Sequence, residues 1–306
     1  MTAIPEANGR HEGRFADPAE VLRRLAEVGY LADEQISTAV YLADHLAKPV
    51  LVEGPAGTGK TELAKSLAVA LGARLIRLQC YEGLDEAKAL YEWDYRKQLL
   101  RIQVGRSDAA RGEAGPAWSE IEEDIFSEAF LLERPLLEAI RAIDPVVLLV
   151  DEVDRIEVET EALLLEVLSD YQVSIPELGT VHATQVPLVL LTSNDTRELS
   201  EALKRRCLYL HLGYPSVERE RAIVVARVPG IDVRLADEVV RVVRLLRDMD
   251  LEKLPSVSET LDWARTLVLL GVEHADARTT VSTLNLLLKH KDDIDAASRA
   301  LSGMST

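Results

Sequence analysis

A glycine-rich turn near residue 55 carries the residue types that bind phosphate. Residues 50–61 read VLVEGPAGTGKT and fit the pattern G-x-x-x-x-G-K-[ST]. In such a loop the backbone N–H groups surround the phosphates, the lysine contacts the β- and γ-phosphate oxygens, and the hydroxyl residue binds Mg²⁺. The alternative is a glycine turn beside a solvated lysine. The pattern predicts a nucleotide-binding loop formed by Gly54, Pro55, Ala56, Gly57, Thr58, Gly59, Lys60 and Thr61.

Two acidic residues follow a second apolar run, at residues 146–150 (VVLLV). Such a run predicts a buried strand, and ligands bind at the carboxyl ends of strands in open α/β sheets. Phosphoryl transfer needs a carboxylate that holds Mg²⁺ and a second group that positions the attacking water. Asp151 suits the first role, with Thr61 as its partner at the metal, and Glu152 suits the second. Alone, an Asp-Glu pair is more often a surface turn, but after a phosphate loop it indicates nucleotide hydrolysis.

Polar residues at two further positions could take part in this chemistry. Asn194 ends the apolar run 188–193 and could bind the γ-phosphate or the lytic water, although an Asn in a turn before a helix is the alternative. Arg205 and Arg206 end a predicted helix at 198–203. Because the helix dipole stabilises cations at a helix C-terminus, a purely structural role for these arginines stays open.

Strands and helices that alternate along the chain position these residues. Because such alternation is typical of a parallel sheet with helices on both faces, the predicted fold class is α/β. The strand at 187–192 and the one at 208–212 follow a predicted hairpin at 172–184. Earlier predicted elements are strands 50–53, 74–79 and 146–150, helices 60–71 and 159–169, and helical stretches within 84–103 and 119–141.

The pattern divides the chain into a flexible N-terminus (1–16), a nucleotide-binding α/β domain (17–214) and a helical lid domain (215–306). Strand signals end at residue 215, and helical spacing follows. A Gly- and Ser-containing stretch at 104–116 predicts a flexible loop. The helical segments of the lid are predicted at 216–227, 235–248, 257–270 and 278–290.

Composition narrows the class of protein. Acidic residues number 52 against 35 basic ones, and the net charge of −17 disfavours a general nucleic-acid partner. No apolar stretch reaches the roughly 20 residues that a membrane span needs, and the N-terminus lacks the apolar core of a signal peptide. Cys80 and Cys207 lie in or beside apolar runs, as reduced thiols do. We therefore expect a cytoplasmic protein without stable membrane insertion.

The order of these motifs resembles the AAA+ ATPases: phosphate loop, Asp-Glu strand, strand ending in Asn, paired arginines and helical lid. Within that superfamily the chain looks like the MoxR group, because the predicted hairpin at 172–184 and residues 214–218 (YPSVE) are similar to that group. Residues 78–85 (LQCYEGLD), 89–93 (ALYEW) and 201–207 (EALKRRC) resemble its CoxD-type branch, which is encoded beside carbon monoxide dehydrogenase genes.

The resemblance implies further roles at matching positions. Asn194 would be sensor 1, and Arg265 would be sensor 2, which reaches the nucleotide from the lid. Arg206, or its neighbour Arg205, would be the arginine finger supplied to the next subunit. Many MoxR relatives carry Asp-Arg-Phe where this chain has Arg-Arg-Cys, so the choice between the two arginines stays open. Tyr30 would border the adenine, unless it is a core aromatic residue.

The resemblance also implies a function. The chain would form a ring, expected to be a hexamer, that binds ATP and Mg²⁺ and remodels a protein client. The implied client is a molybdenum hydroxylase related to carbon monoxide dehydrogenase, with a von Willebrand factor A-domain protein as partner. A DNA-acting helicase or clamp loader and a nucleotide-gated binding module are the alternatives. Aromatic and basic residues at 81–103 predict either a client- or pore-facing insertion or a packed helix pair.

Overall fold

The computed structural model describes residues 13–110 and 124–303. The predicted loop at 104–116 falls partly outside this range. Its first part differs from the prediction, because the helix that begins at residue 95 continues through residue 110. The rest of the predicted loop lies outside the described residues.

The predicted flexible N-terminus ends in packed residues. Residues 1–12 of that segment lie outside the described residues. Phe15 is buried, and the Arg14 Nη1 atom lies 2.8 Å from Oδ1 of the buried Asp44. The prediction that the flexible segment extends to residue 16 is therefore wrong for Arg14 and Phe15, because an ion pair and a buried aromatic ring hold the backbone there.

The described strands form one parallel sheet and two small antiparallel pairs. They are β1 (Val50–Glu53), β2 (Arg74–Gln79), β3 (Tyr91–Trp93), β4 (Leu131–Glu133), β5 (Val146–Asp151), β6 (Gln172–Ile175), β7 (Gly179–His182), β8 (Leu188–Ser193) and β9 (Leu208–His211). The five-stranded sheet has the order β2-β5-β8-β1-β9, and all of its neighbours pair in parallel. β3 pairs with β4, and β6 pairs with β7 as the predicted hairpin.

Helices cover both faces of the sheet and then form a separate lid. They are α1 (Pro18–Glu27), α2 (Glu34–Leu46), α3 (Lys60–Leu71), α4 (Glu86–Ala89), α5 (Tyr95–Ala110), α6 (Pro135–Arg141), α7 (Val158–Asp170), α8 (Glu201–Lys204), α9 (Val217–Arg227), α10 (Val233–Arg247), α11 (Val257–Leu269), α12 (Ala277–Leu287) and α13 (Lys291–Gly303). The predicted fold class, a parallel sheet between helices followed by a helical lid, is confirmed.

Alternate side chains of β5 point into two different cores. Leu148 and Val150 pack into the core shared with α6 and α7, whereas Val147 and Leu149 pack into the core shared with α1, α2 and α3. Every residue of β5 is buried, as expected of a strand covered on both faces. Packing in both cores therefore fixes the position of the carboxyl end of β5, where Asp151 lies.

The lid has a core of its own around Trp263. This side chain is fully buried, and its Nε1 atom donates a hydrogen bond to Thr283 Oγ1 at 2.8 Å. In the same domain, Arg247 and Glu220 form a buried ion pair with N–O distances of 2.7 and 2.8 Å. The last strand of the sheet ends at residue 211 and the first lid helix begins at residue 217.

Several elements differ from the sequence prediction. The helical stretches at 84–103 and 119–141 contain the short strands β3 and β4, which are too short to show a period of two. α8 begins at Glu201 rather than residue 198, because the Ser200 hydroxyl accepts the Leu203 N–H as an N-cap. The sequence pattern also missed α13, in which Ile294, Ala297 and Leu301 pack into the lid core. None of the described helices is both long and apolar enough to span a membrane.

The buried ion pair in the lid generates the first prediction. We expect Arg247→Ala to lower the free energy of unfolding by about 3–5 kcal/mol, because it leaves the Glu220 carboxylate buried without its partner. Urea denaturation followed by tryptophan fluorescence measures the change. The matched control is Arg234→Ala on the same helix, whose ion pair with Asp232 is exposed and should contribute little to stability. Equal effects of the two substitutions would contradict this prediction.

Candidate nucleotide site

The phosphate loop leads from β1 to α3 and is packed from two sides. A Cβ atom at Gly54 would lie 2.2 Å from the Leu212 carbonyl oxygen, and one at Gly57 would lie 2.4 Å from Ser256 Oγ. Both glycines have positive φ angles, 153° and 72°. The loop therefore has room for glycine alone at these two positions, and the second of them contacts the lid.

Lys60 lies inside this loop. Its Nζ atom donates hydrogen bonds to the carbonyl oxygens of Gly54, at 2.7 Å, and Pro55, at 2.8 Å. Burial lowers the pKa of Lys60, while the nearby carboxylates of Asp154 and Asp151 act in the opposite direction. The loop thus holds a desolvated cation, which a phosphate group would neutralise.

Asp151 lies at the end of β5, and its buried carboxylate contacts three other elements. Oδ1 accepts hydrogen bonds from Thr61 Oγ1, at 3.0 Å, and from Thr192 Oγ1. Oδ2 accepts one from Arg77 Nε at 3.0 Å. A carboxylate beside a hydroxyl provides the oxygen ligands that Mg²⁺ prefers. The structure therefore brings together the two residues predicted to hold the metal.

Glu152 has a left-handed backbone conformation, with φ at 58°. Its backbone N–H donates a hydrogen bond to Thr192 Oγ1 at 2.9 Å. The Oε2 atom accepts a hydrogen bond from Gln79 Nε2 at 3.2 Å and lies 2.7 Å from Arg155 Nε. Left-handed residues other than glycine are uncommon and concentrate at functional sites. Here the conformation follows directly after Asp151 and places both carboxylates at the end of the same strand.

Asn194 follows β8, and a buried carboxylate holds the turn in which it lies. Asp154 Oδ2 accepts hydrogen bonds from the backbone N–H groups of Asn194, at 3.2 Å, and Thr196, at 3.0 Å. Because β8 lies between β1 and β5, this turn is placed between the phosphate loop and Asp151. Asp154 was not singled out from the sequence, since its role depends on this contact across strands.

A cavity of about 300 Å³, here called the phosphate cavity, opens at the carboxyl edge of the sheet. Its lining includes Lys60, Thr61, Asp151, Glu152 and Asn194. These residues come from three separate segments of the sequence, and the parallel sheet places them around one space. The arrangement combines cations for phosphate, oxygen ligands for a metal and a carboxylate that can position water.

A second cavity of about 340 Å³, here called the nucleoside cavity, adjoins the phosphate cavity. Tyr30 and Arg265 both line it, and neither lines the phosphate cavity. Burial raises the pKa of Tyr30, so that its phenol stays neutral at physiological pH. Arg265 forms an ion pair with Asp262 at 2.9 Å. The structure thus places both residues beside one cavity next to the phosphate cavity, and Tyr30 is also buried in the core shared with α1, α2 and α3.

The lid residue that reaches the phosphate cavity is Ser258, which the sequence analysis missed. It lines both cavities, and its backbone N–H donates a hydrogen bond to the Gly57 carbonyl oxygen at 3.3 Å. A second contact joins the lid to α3, where Arg227 Nη2 lies 2.7 Å from Glu62 Oε1. The lid therefore touches the phosphate loop and the helix that begins at it.

Arg205 and Arg206 lie on the surface, away from both cavities. The Arg205 side chain is 80% exposed and lies 3.8 Å from the Glu201 carboxylate. Arg206 is also exposed; its Nε atom donates a hydrogen bond to Ser169 Oγ, and its Nη1 atom donates one to the Ala202 carbonyl at 3.0 Å. Within the described part of the chain, neither arginine lines the phosphate cavity or the nucleoside cavity.

The aromatic segment at 81–103 is partly packed and partly exposed. Trp93, in β3, is buried and meets the Phe126 ring edge-on, with 5.4 Å between the ring centroids. Tyr81 and Tyr95 are exposed. Trp93 therefore packs within a short strand pair, while Gln98 on α5 donates a hydrogen bond to the Ile125 carbonyl oxygen at 2.7 Å. The alternative of a packed helix pair stays open. The exposed tyrosines leave the alternative of a client- or pore-facing insertion open.

The fold and the site define a P-loop nucleoside triphosphate hydrolase: a phosphate loop, a buried aspartate and a second acidic residue meet at the carboxyl edge of a parallel sheet. Comparison with known families places the chain within this class. The model of the AAA domain, dynein-related subfamily, matches residues 49–207, just over half of the 306 residues. The chain belongs to this AAA family and is an ATP hydrolase.

Relatives of similar length occur in staphylococci. An uncharacterized protein of Staphylococcus haemolyticus is 23% identical over 265 residues, which cover 83% of this chain and 90% of the relative. Another uncharacterized protein, from Staphylococcus aureus, is 25% identical over 252 residues, which cover 78% of this chain and 85% of the relative. The likeness therefore extends beyond the matched AAA domain.

Solved structures of Thermotoga maritima RuvB resemble the chain at low identity. One mutant of that protein is 18% identical with a TM-score of 0.48, and the match covers 83% of this chain and 68% of the other. The structure described as the Holliday junction branch migration motor is 18% identical with a TM-score of 0.44, and the match covers 90% and 72%. At these values the likeness has no bearing on function.

Thr192 generates a prediction at the site. Its hydroxyl bridges the Asp151 carboxylate and the Glu152 N–H, and it is buried. We expect Thr192→Val to lower the ATPase turnover number about tenfold or more, because a valine of the same shape leaves both polar groups without this partner. Steady-state kinetics measures the loss, and Thr192→Ser, which keeps the hydroxyl, should retain most of the activity. Wild-type turnover in the valine variant would contradict the proposed bridge.

Proposed function

We propose that this chain is a ring-forming ATPase of the MoxR group that uses ATP hydrolysis to remodel a protein client. The observation that carries the proposal is the contact between Ser258 of the lid and Gly57 of the phosphate loop. Because the two nucleotide cavities share residues from the sheet domain and the lid, binding and hydrolysis of ATP favour different lid positions. Such a coupling converts hydrolysis into movement between domains.

The residues around the phosphate cavity have distinct proposed roles. Lys60 and the backbone N–H groups of the phosphate loop bind the β- and γ-phosphates. Thr61 and Asp151 hold Mg²⁺, which neutralises charge on the phosphate oxygens. Glu152 orients the attacking water, and Asn194, held by Asp154, contacts the γ-phosphate or that water. In the nucleoside cavity, Tyr30 borders the adenine, and Arg265, as sensor 2, reaches the nucleotide from the lid.

We also propose that the chain assembles into a ring, most simply a hexamer, since AAA+ proteins generally form rings. The exposed position of Arg206 supports delivery of its guanidinium to the nucleotide of a neighbouring subunit. Arg206 holds the position of the arginine in the Asp-Arg-Phe triplet of many MoxR relatives. Arg205, which is 80% exposed, is the alternative finger.

The proposed client is a molybdenum hydroxylase related to carbon monoxide dehydrogenase, matured in the cytoplasm together with a von Willebrand factor A-domain protein. The support is the resemblance of residues 78–85, 89–93 and 201–207 to the CoxD-type branch. The exposed Tyr81 and Tyr95, which precede and follow β3 in the sequence, offer aromatic surface for a protein partner.

A DNA-acting ATPase is the rival function, and the overall charge argues against it. The net charge of −17 repels a phosphate backbone, whose binding depends on clustered basic residues. A nucleotide-gated binding module with little turnover is the other rival. The Glu152 carboxylate at the phosphate cavity supports hydrolysis instead.

A trapping experiment tests the function. We expect Glu152→Gln to bind ATP and stall, because the amide keeps the shape of the site but cannot activate water. Bound to ATP, the tagged variant should retain its client, which mass spectrometry identifies. The matched control is Lys60→Ala, which lacks the cation that meets the phosphates and should retain neither ATP nor client.

The ATPase rate separates the rival functions. The recovered client should stimulate wild-type hydrolysis several-fold, whereas duplex or single-stranded DNA should not at physiological salt. Stimulation by unrelated DNA sequences would overturn the proposal in favour of the DNA-acting alternative. Hydrolysis by the Glu152→Gln variant at the wild-type rate would refute the catalytic role of Glu152.

The arginine finger generates a separate prediction. We expect Arg206→Ala to bind ATP and to hydrolyse it at least about a thousandfold more slowly, because a finger stabilises charge in the transition state. A mixture of Arg206→Ala and Lys60→Ala should regain partial activity. In mixed rings, an intact phosphate loop of one subunit meets an intact arginine of its neighbour.

Native mass spectrometry checks that mixed rings form. Mixed rings without any recovered activity would contradict transfer of the arginine across the boundary. Full activity of Arg206→Ala together with an inactive Arg205→Ala would move the assignment to Arg205.

A further inference from the structure

Arg77 lies in β2, the edge strand beside β5, and its side chain reaches the metal-binding end of the neighbouring strand. The register pairs Arg77 with Leu149 and places Gln79 opposite Asp151. The Arg77 side chain is 46% exposed, whereas that of Asp151 is 4% exposed. A cation that lies partly in solvent therefore contacts a carboxylate that is almost completely desolvated.

The contact uses one oxygen of the carboxylate. The Nε and Nη2 atoms of Arg77 donate to Asp151 Oδ2 at 3.0 and 2.5 Å. The other oxygen, Oδ1, accepts the hydroxyl groups of Thr61 and Thr192. Arg77 Nη2 also donates a hydrogen bond to Gln79 Oε1. Both oxygens of the metal-binding carboxylate thus have protein partners, and one partner carries a full positive charge.

Two cations that bind one carboxylate compete for its charge and repel each other. A guanidinium on Oδ2 compensates the charge that Asp151 would offer to Mg²⁺, and it would repel the ion directly. The Arg77 nitrogens lie 3.0 and 2.5 Å from the carboxylate oxygen, well within the roughly 8–10 Å over which physiological salt screens charges. Because Asp151 is buried, its charge is compensated mainly by these near neighbours and little by water.

We propose that Arg77 is an internal counterion of Asp151 and that Mg²⁺ must bind against its positive charge or displace it. Arg77 thereby sets the Mg²⁺ concentration at which the site binds nucleotide. The inference rests on the proposed metal site at Thr61 and Asp151 and is independent of the client. In this role Arg77 neutralises the carboxylate in the absence of the metal and weakens retention of the metal–nucleotide complex.

The test measures nucleotide binding, and hydrolysis does not enter it. A fluorescent, non-hydrolysable ATP analogue is bound to the full-length protein, and fluorescence anisotropy follows binding as MgCl₂ is titrated. We expect Arg77→Met to lower the Mg²⁺ concentration at half-maximal binding by roughly three- to tenfold. The moderate size reflects the partial exposure of the guanidinium to solvent.

The chain offers a matched control on the same strand. Arg74 is exposed to a similar degree and pairs at 2.6 Å with Glu138 on α6, away from the nucleotide cavities. Arg74→Met changes the net charge by the same amount and should leave the Mg²⁺ midpoint unchanged. An equal shift in both variants would show a general charge effect and overturn the role of Arg77.

Thermal unfolding without nucleotide provides a second readout. Arg77→Met should melt at a lower temperature than wild type without metal, because the buried Asp151 carboxylate loses its counterion. Added MgCl₂ should raise the melting temperature of this variant by more than it raises that of wild type. A variant that fails to fold without Mg²⁺ and folds when Mg²⁺ is added would support the proposal by the same reasoning.

The outcomes distinguish the counterion role of Arg77 from the metal site at Thr61 and Asp151. An unchanged or higher Mg²⁺ midpoint in Arg77→Met, with normal magnesium dependence in wild type, overturns the counterion role while the metal site stands. Nucleotide binding by wild type that is independent of Mg²⁺ refutes the metal site itself and, with it, the role of Arg77.

Discussion

The buried carboxylate of Asp151 is the constraint on which the nucleotide site depends. A desolvated charge is costly unless donors surround it, and here the donors come from α3, β8 and β2. Because side chains alternate between the faces of a strand, a shift of one residue in either neighbouring strand would remove a donor. The register of the sheet and the position of the phosphate loop are therefore linked through one side chain.

The position of the lid depends on its contact with the phosphate loop. Gly57 leaves no room for a side chain because Ser256, the N-cap of α11, packs against it. Ion pairs between α9 and the sheet domain lie around the nucleoside cavity. Residues of both the sheet domain and the lid thus line the two cavities, which is the arrangement on which the proposed coupling of nucleotide and lid rests.

Overall charge and local charge act differently in this protein. The net charge of −17 belongs to the surface as a whole and governs which partners can approach. At the carboxyl edge of the sheet, Lys60 and Arg77 lie directly against the carbonyl and carboxylate oxygens of the site. Lys60 is buried, and Arg77 contacts a buried carboxylate although its own side chain is partly exposed. Contacts over a few ångströms therefore govern the electrostatics of the site more than the acidic surface does.

The sequence by itself determined the α/β class, the phosphate loop and the Asp151–Glu152 pair, because each depends on a local pattern of consecutive residues. It could not indicate Arg77 or Ser258, whose partners lie 74 and 201 positions away. Their roles depend on the strand order β2-β5-β8-β1-β9 and on where the lid docks. Hydrophobic periodicity reports which face of an element is buried, and only tertiary packing decides which elements become neighbours.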